Sequence, residues 1–262
     1  MQRLLTSSIP RQIRQQIQAF NRNMTTQRLH IAALGSSFAS GPNIEPVENE
    51  AAGRSKRNYA HQLAEKLDAK LTDLTVSGAT ILNLLHEPQI VGWTSVFPPQ
   101  VDSLPTDADI VTVTCGGNDM ALGASSEEVT RRFLSLIDKI KEKATKAKIY
   151  LVQYPDVYGD ATKPGRETAV SAEGIRVHRE MKRKLAQANE DAARQRDGVE
   201  VVPVAEASRD HAIGSEVPWV DGLRRGPQWR NFIPYHPNLA GHTAVAEMLF
   251  DMISKQNTCK AD

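Results

Sequence analysis

The chain is nearly free of cysteine. Cys115 and Cys259 are the only two among 262 residues, too few for a disulfide framework or a zinc site. Cys115 closes an apolar run, the setting of a buried thiol. Long apolar runs are missing too. None reaches the roughly 18 residues expected of a membrane span, and no compact apolar segment of a secretory leader lies near the start. Charge is balanced at a net +1, so charge alone points to no nucleic-acid or acidic partner. Residues 1–44 hold no Asp or Glu but carry Arg3, Arg11, Arg14, Arg22 and Arg28. That pattern fits a basic N-terminal extension, residues 1–28, on a cytoplasmic protein. An organellar transit peptide and a mature secreted chain are the alternatives.

What is present is an ordinary globular composition, 40% hydrophobic and 24% charged. No repeat or linker divides residues 29–262, which read as one domain. Short apolar runs alternate there with longer amphipathic stretches. The runs LHIAAL (29–34), LTDLTV (71–76), ADIVTVTC (108–115), KIYLVQY (148–154) and VEVVPV (199–204) read as strands. Near-continuous apolar strands suit a parallel sheet buried on both faces. Between them, Ser125 with Glu128 makes a capping box. It opens a helix on which Val129, Phe133, Leu136, Ile137 and Ile140 recur at helical spacing. The charged stretch 171–196 reads as a helix with a solvated face, and 239–254 as the last helix. This alternation implies an α/β fold, a three-layer α/β/α sandwich. Ligand sites in such folds lie beyond the carboxyl ends of the strands. Residues 86–106 and 155–170 read as long loops. Trp93, Phe97, Trp219 and Trp229 fall in loop-like stretches, where they either line a pocket or pack against the sheet edge.

Four loops carry candidate chemistry. GSSFASG (35–41) follows the first strand, and its small residues would let a substrate approach Ser37 at a strand-to-helix turn. VSGAT (76–80) follows the second strand, and Gly78 has no side chain to shield its N–H. CGGND (115–119) follows the third. Two glycines turn the chain tightly and bring Asn118, a neutral donor suited to an oxyanion, to the edge. YHPNLAGH (235–242) precedes the last helix and fixes His236, a candidate general base, beside Pro237. Asp119 and His242 read as structural residues. A flavodoxin-like phosphate binder is the competing use of GSSFASG, but the loop lacks the P-loop lysine, and that reading leaves Asn118 and His236 unexplained.

Taken together, GSSFASG, SGAT, GGND and HPNLAGH resemble the four sequence blocks of the SGNH hydrolase superfamily, the GDSL-type lipases and esterases. The resemblance spans about residues 29–254. It implies a flavodoxin-like sandwich with a five-stranded parallel sheet and a serine esterase needing no cofactor and no metal. Ser37 would be the nucleophile and His236 the base, with the Ser37 N–H, Gly78 and Asn118 forming the oxyanion hole. The partner implied is a small-molecule ester, with no nucleic acid and no membrane span; oligomeric state is left open. Two positions depart from the family pattern. Ser36 stands where the family has the Asp of GDS, and Ile233 stands where an Asp would orient the histidine. The imidazole partner is then a backbone carbonyl of Ile233, Pro234 or Tyr235, or a remote acid such as Asp221; failing both, the site is a slow dyad or inactive. Without an extended apolar lid, short acyl chains are expected. A carbohydrate O-deacetylase, a lipase or thioesterase, and a non-catalytic binding module on the same scaffold are the alternatives.

Overall fold

A computed structural model describes residues 28–223 and 233–258. The expectations for Arg3, Arg11, Arg14 and Arg22, for Trp229 and for Cys259 lie outside the described residues, whereas Arg28 is described and pairs with Asp68. The five apolar runs form one parallel sheet. Its strands are β1 (His30–Gly35), β2 (Lys70–Asp73), β3 (Ile110–Thr114), β4 (Lys148–Val152) and β5 (Val199–Val202). Their spatial order is β2-β1-β3-β4-β5. Ile31 pairs with Ile110 and Gly35 with Thr114, so β1 and β3 end side by side. The order reverses between them, which is where open α/β sheets bind ligands.

Period-two alternation of the strands divides the core into two layers. On one face Ile31, Ala33, Tyr150 and Val202 pack against Tyr59 and Leu63 of α2 (Tyr59–Lys66) and Leu249 of α8 (Leu239–Thr258). On the other, Ala32, Leu34, Val111, Val113 and Leu151 meet α3 (Ile81–Leu85), α5 (Ser126–Lys143) and α6 (Ala172–Arg194). The α5 residues Val129, Phe133, Leu136, Ile137 and Ile140 are all buried, as their spacing requires. The remaining helices are short: α1 (Ser37–Ser40), α4 (Gly117–Ala121) and α7 (Val204–Ala207). Side-chain caps start the longer helices. Asn58 accepts the Ala60 and His61 N–H groups, Ser125 that of Glu128, and Ser171 that of Gly174. On α6 the charges pair along the helix, as Arg176 with Glu173 and Arg183 with Glu180.

Two details differ from the sequence expectation. The second strand ends at Asp73, where its carboxylate accepts the Thr75 N–H and hydroxyl and turns the chain. The backbone still follows β1, with Leu74 N–H on Ala33 O and Val76 N–H on Gly35 O. Residues 86–106 are not simply a loop. Gln89–Val91 and Ser95–Phe97 pair as a short antiparallel ribbon, reversed by a turn in which Gly92 takes φ +60°. The stretch 155–170 has no helix or ladder of its own beyond isolated bridges.

Candidate active site

The site is assembled where β1, β2 and β3 end. Gly35 closes β1 with φ +156°; a Cβ there would lie 2.5 Å from Thr114 O and 2.9 Å from Ala39 Cβ, so the neighbouring strand and α1 exclude a side chain. Its N–H and C=O are both held by one buried amide, with Gln100 Oε1 accepting at 2.8 Å and Gln100 Nε2 donating at 3.0 Å. Ser36 N–H then bonds Thr114 O at 3.0 Å. Ser37 starts the single turn α1, which Gly41 ends at φ +73° with its N–H on Ser37 O.

The other side comes from residues 233–238. A short antiparallel contact with residues 219–221 holds them: Tyr235 N–H donates to Asp221 O, Asp221 N–H to His236 O, and Asn238 N–H to Trp219 O. Tyr235 takes φ +66°, a conformation that non-glycine residues rarely adopt. The Asn43 side chain grips Ile233 from both sides, donating to its carbonyl at 2.6 Å and accepting its N–H at 2.9 Å.

These loops bring together two side chains 199 residues apart. His236 Nε2 lies 2.8 Å from Ser37 Oγ, and Nδ1 lies 2.9 Å from Pro234 O. A carbonyl only accepts, so Nδ1 carries the proton. Nε2 is left as a bare lone pair that accepts the Ser37 hydroxyl. Burial lowers the His236 pKa below the ordinary imidazole value, against the opposing pull of the Pro234 and Ile233 carbonyls. Asp221 joins this loop through its backbone.

Gly78 follows the run beside β1, is exposed, and takes φ +84°. The side chain nearest to a Cβ built there is Gln89, whose amide donates to Ser77 O at 2.7 Å. Asn118 lies on α4, beyond β3. One of its amide protons is committed to Ala79 O at 2.9 Å, which ties the second loop to the third and leaves one donor. Asp119 is buried and structural: it accepts the Ile81 N–H at 2.9 Å and pairs with Arg132 at 2.7 Å.

Several supports carry no motif in the sequence. Tyr154, just past β4, hydrogen-bonds Ser36 Oγ at 2.7 Å. Its ring stacks on Phe38 at 4.1 Å, and Phe38 in turn tilts against His236 at 5.3 Å. Burial pushes the Tyr154 phenol and the Cys115 thiol well up, so both are neutral. His242 accepts the Tyr59 N–H through Nδ1 at 3.0 Å. Of the loop aromatics, Trp219 stacks on His211 at 4.3 Å, whereas Trp93 stands fully in solvent. Away from this edge, Glu48, His61 and Asp73 bring possible ligand atoms within 4.8 Å of one another. The Arg54 guanidinium lies 3.8 Å from Glu48 and 3.5 Å from Asp73, and Asp73 already accepts from Asn58 and Thr75. That cluster reads as an ion-pair network. No helix among the described residues is long and apolar enough to cross a membrane.

The chain is 27% identical to lipase 2 of Streptomyces coelicolor, over 87% of each protein. Its fold matches phospholipase A1 from Streptomyces albidoflavus NA297 with a TM-score of 0.65 at 19% identity, covering 84% of this chain and 98% of that one. A carbohydrate esterase family 2 enzyme of Corynascus thermopiles shares the fold at a TM-score of 0.52 and 18% identity, with 96% of this chain and 68% of that one covered. The model of the GDSL-like lipase/acylhydrolase family matches residues 33–244, which takes in all four loops of the edge. The chain is therefore a member of that family of ester-bond hydrolases.

Proposed function

We propose that the protein hydrolyses small carboxylic esters through an acyl-enzyme on Ser37. The observation that carries this reading is the relay from Ser37 Oγ through His236 to Pro234 O, at 2.8 and 2.9 Å. In this mechanism His236 Nε2 takes the Ser37 proton as Oγ attacks the ester carbonyl. The charge that develops on the carbonyl oxygen is met by the Ser37 and Gly78 N–H groups and the remaining Asn118 amide proton. His236 then protonates the departing alcohol, and a water deprotonated by His236 releases the acid and restores Ser37. Pro234 O fills the place of the third triad member by holding the imidazole in the tautomer the step needs. No residue in this scheme calls for a metal or organic cofactor.

We further propose short acyl groups as the favoured substrates. The test is hydrolysis of p-nitrophenyl esters from acetate to palmitate, wild type beside Ser37→Ala. Loss of at least about a thousandfold in kcat is expected for the variant, with an optimum at short chains in the wild type. Equal rates for both proteins would remove Ser37 from the mechanism. An optimum at palmitate would overturn the chain-length proposal alone.

A further inference from the structure

The ribbon at residues 89–97 shows its apolar side to water. Ile90 and Val96 face each other across the two strands and are 71% and 66% exposed. Trp93, in the turn between them, is fully exposed. The alternate positions Gln89, Val91, Ser95 and Phe97 are half-buried, so the outward set is one face of a two-stranded element and not a frayed loop. Evolution seldom leaves an indole in water without use, because its area is the largest that any side chain can bury and its N–H suits a boundary between apolar and wet surroundings.

The position of the ribbon says what covers it. Its first strand begins at Gln89, whose amide is bonded to Ser77 O beside Gly78. The apolar face is therefore rooted next to the proposed oxyanion donors. Asn83 Nδ2 on Pro88 O fixes the same root to α3. Charge narrows the choice of occupant. Residues 77–100, which carry Gly78 and the ribbon, contain no Lys or Arg, and the one acid among them is the exposed Glu87, two residues before the ribbon. An anionic surface would meet Glu87 and no cation on this stretch, whereas an uncharged one meets no like charge.

We infer that the 89–97 ribbon is a docking element that seats the protein on the uncharged surface of an ester lipid, with Ile90, Trp93 and Val96 inserted. This rests on the proposed esterase reading for its biological sense and names where the ester is met. It sets no acyl length, since esters of short acids also form droplets. Insertion of these side chains supplies hydrophobic free energy without a lid.

The test measures binding and not catalysis. Full-length Ser37→Ala protein is mixed with phosphatidylcholine vesicles, or with vesicles rich in phosphatidylglycerol, and the bound fraction is read after centrifugation. Binding to phosphatidylcholine is expected, weakened at least about tenfold by adding Trp93→Ala and further by Ile90→Ser with Val96→Ser. Thermal unfolding of each variant checks the fold. The Trp93→Ala protein decides the matter if the others unfold, because Trp93 projects into solvent. Absence of binding, binding confined to the anionic vesicles, or equal binding of parent and Trp93→Ala would each overturn the inference. Every protein compared lacks Ser37, so these outcomes stand apart from the ester-hydrolysis test of the proposed mechanism.

Discussion

His242 offers a quantitative test of how the core beneath the site is built. Its ring is buried on α8, accepts the Tyr59 N–H and lies 6.0 Å from the Tyr59 ring. Burial first, then the neighbouring His236, pushes its pKa down to about 3. In the unfolded chain the value returns to about 6.5. The folded value is the lower one, so the unfolded state binds the extra proton. The contribution is complete above about pH 6.5 and is lost as pH falls towards 3. At about 1.4 kcal/mol per unit, the loss is about 3 kcal/mol by pH ~4.5 and about 5 kcal/mol at the bottom of the window. For a domain stable by roughly 5–15 kcal/mol, one ring therefore accounts for much of the acid sensitivity. The assay is urea unfolding of wild type and His242→Gln from about pH 7.5 to about pH 4.5. Gln cannot take the proton. The variant starts less stable, through lost packing, but the gap should close by about 3 kcal/mol across the lower two units. A gap that holds constant to about 0.5 kcal/mol would refute the reasoning.

Three further outcomes follow from the site. His236 must be neutral to act as the proposed base, and burial lowers its pKa. The acid limb of kcat/KM should therefore have its midpoint below the ordinary value of about 6.5; a midpoint above ~7 contradicts the burial argument. Gln100→Leu leaves the buried Gly35 N–H without its acceptor, and the Gly35 carbonyl with the Val76 N–H but not the amide; it should cost about 1–3 kcal/mol in urea unfolding, an unchanged midpoint counting against the role assigned to Gln100. Tyr154→Phe keeps the stack on Phe38 but deletes the bond to Ser36. It should cost about 1 kcal/mol of stability and lower kcat severalfold on a p-nitrophenyl ester at constant KM, whereas a change in KM alone would place Tyr154 in substrate binding.

The central strands were legible because their apolar runs are buried on both faces, and the helices because their apolar residues recur at helical spacing. The ends of elements were not. LTDLTV reads as one run, yet the Asp73 carboxylate captures the Thr75 N–H and stops the strand. The ribbon escaped because QIV and SVF are three residues each, too short to display alternation, though the Gly between them is a hairpin signal. Sequence spacing grouped the loops bearing Ser37, Gly78, Asn118 and His236, since each follows a strand or precedes the last helix. It could not show the supports between loops. Gln100 lies 65 residues from Gly35, and Asn43 lies 190 from Ile233; neither belongs to a motif. The choice among the carbonyls of Ile233, Pro234 and Tyr235 depends on a positive φ at Tyr235, a conformation that no side chain there announces.

Two replacements change the electrostatics of this edge in the same direction. Ser36 and Ile233 stand where relatives of the GDSL pattern carry acids, and the groups that take over are neutral: the Tyr154 hydroxyl for one and the Pro234 carbonyl for the other. Asp119, the buried acid of the third loop, is paired with Arg132. A carbonyl fixes the imidazole tautomer as a carboxylate does, but it stabilises the imidazolium of the transition state less. It also leaves burial as the dominant influence on His236, so that the ring stays unprotonated to lower pH. In the proposed mechanism the same change thus weakens the base and widens the range over which it is available. Ring position must then be secured by packing instead of charge, which is what the Tyr154–Phe38–His236 stack and the Asn43 grip on Ile233 supply.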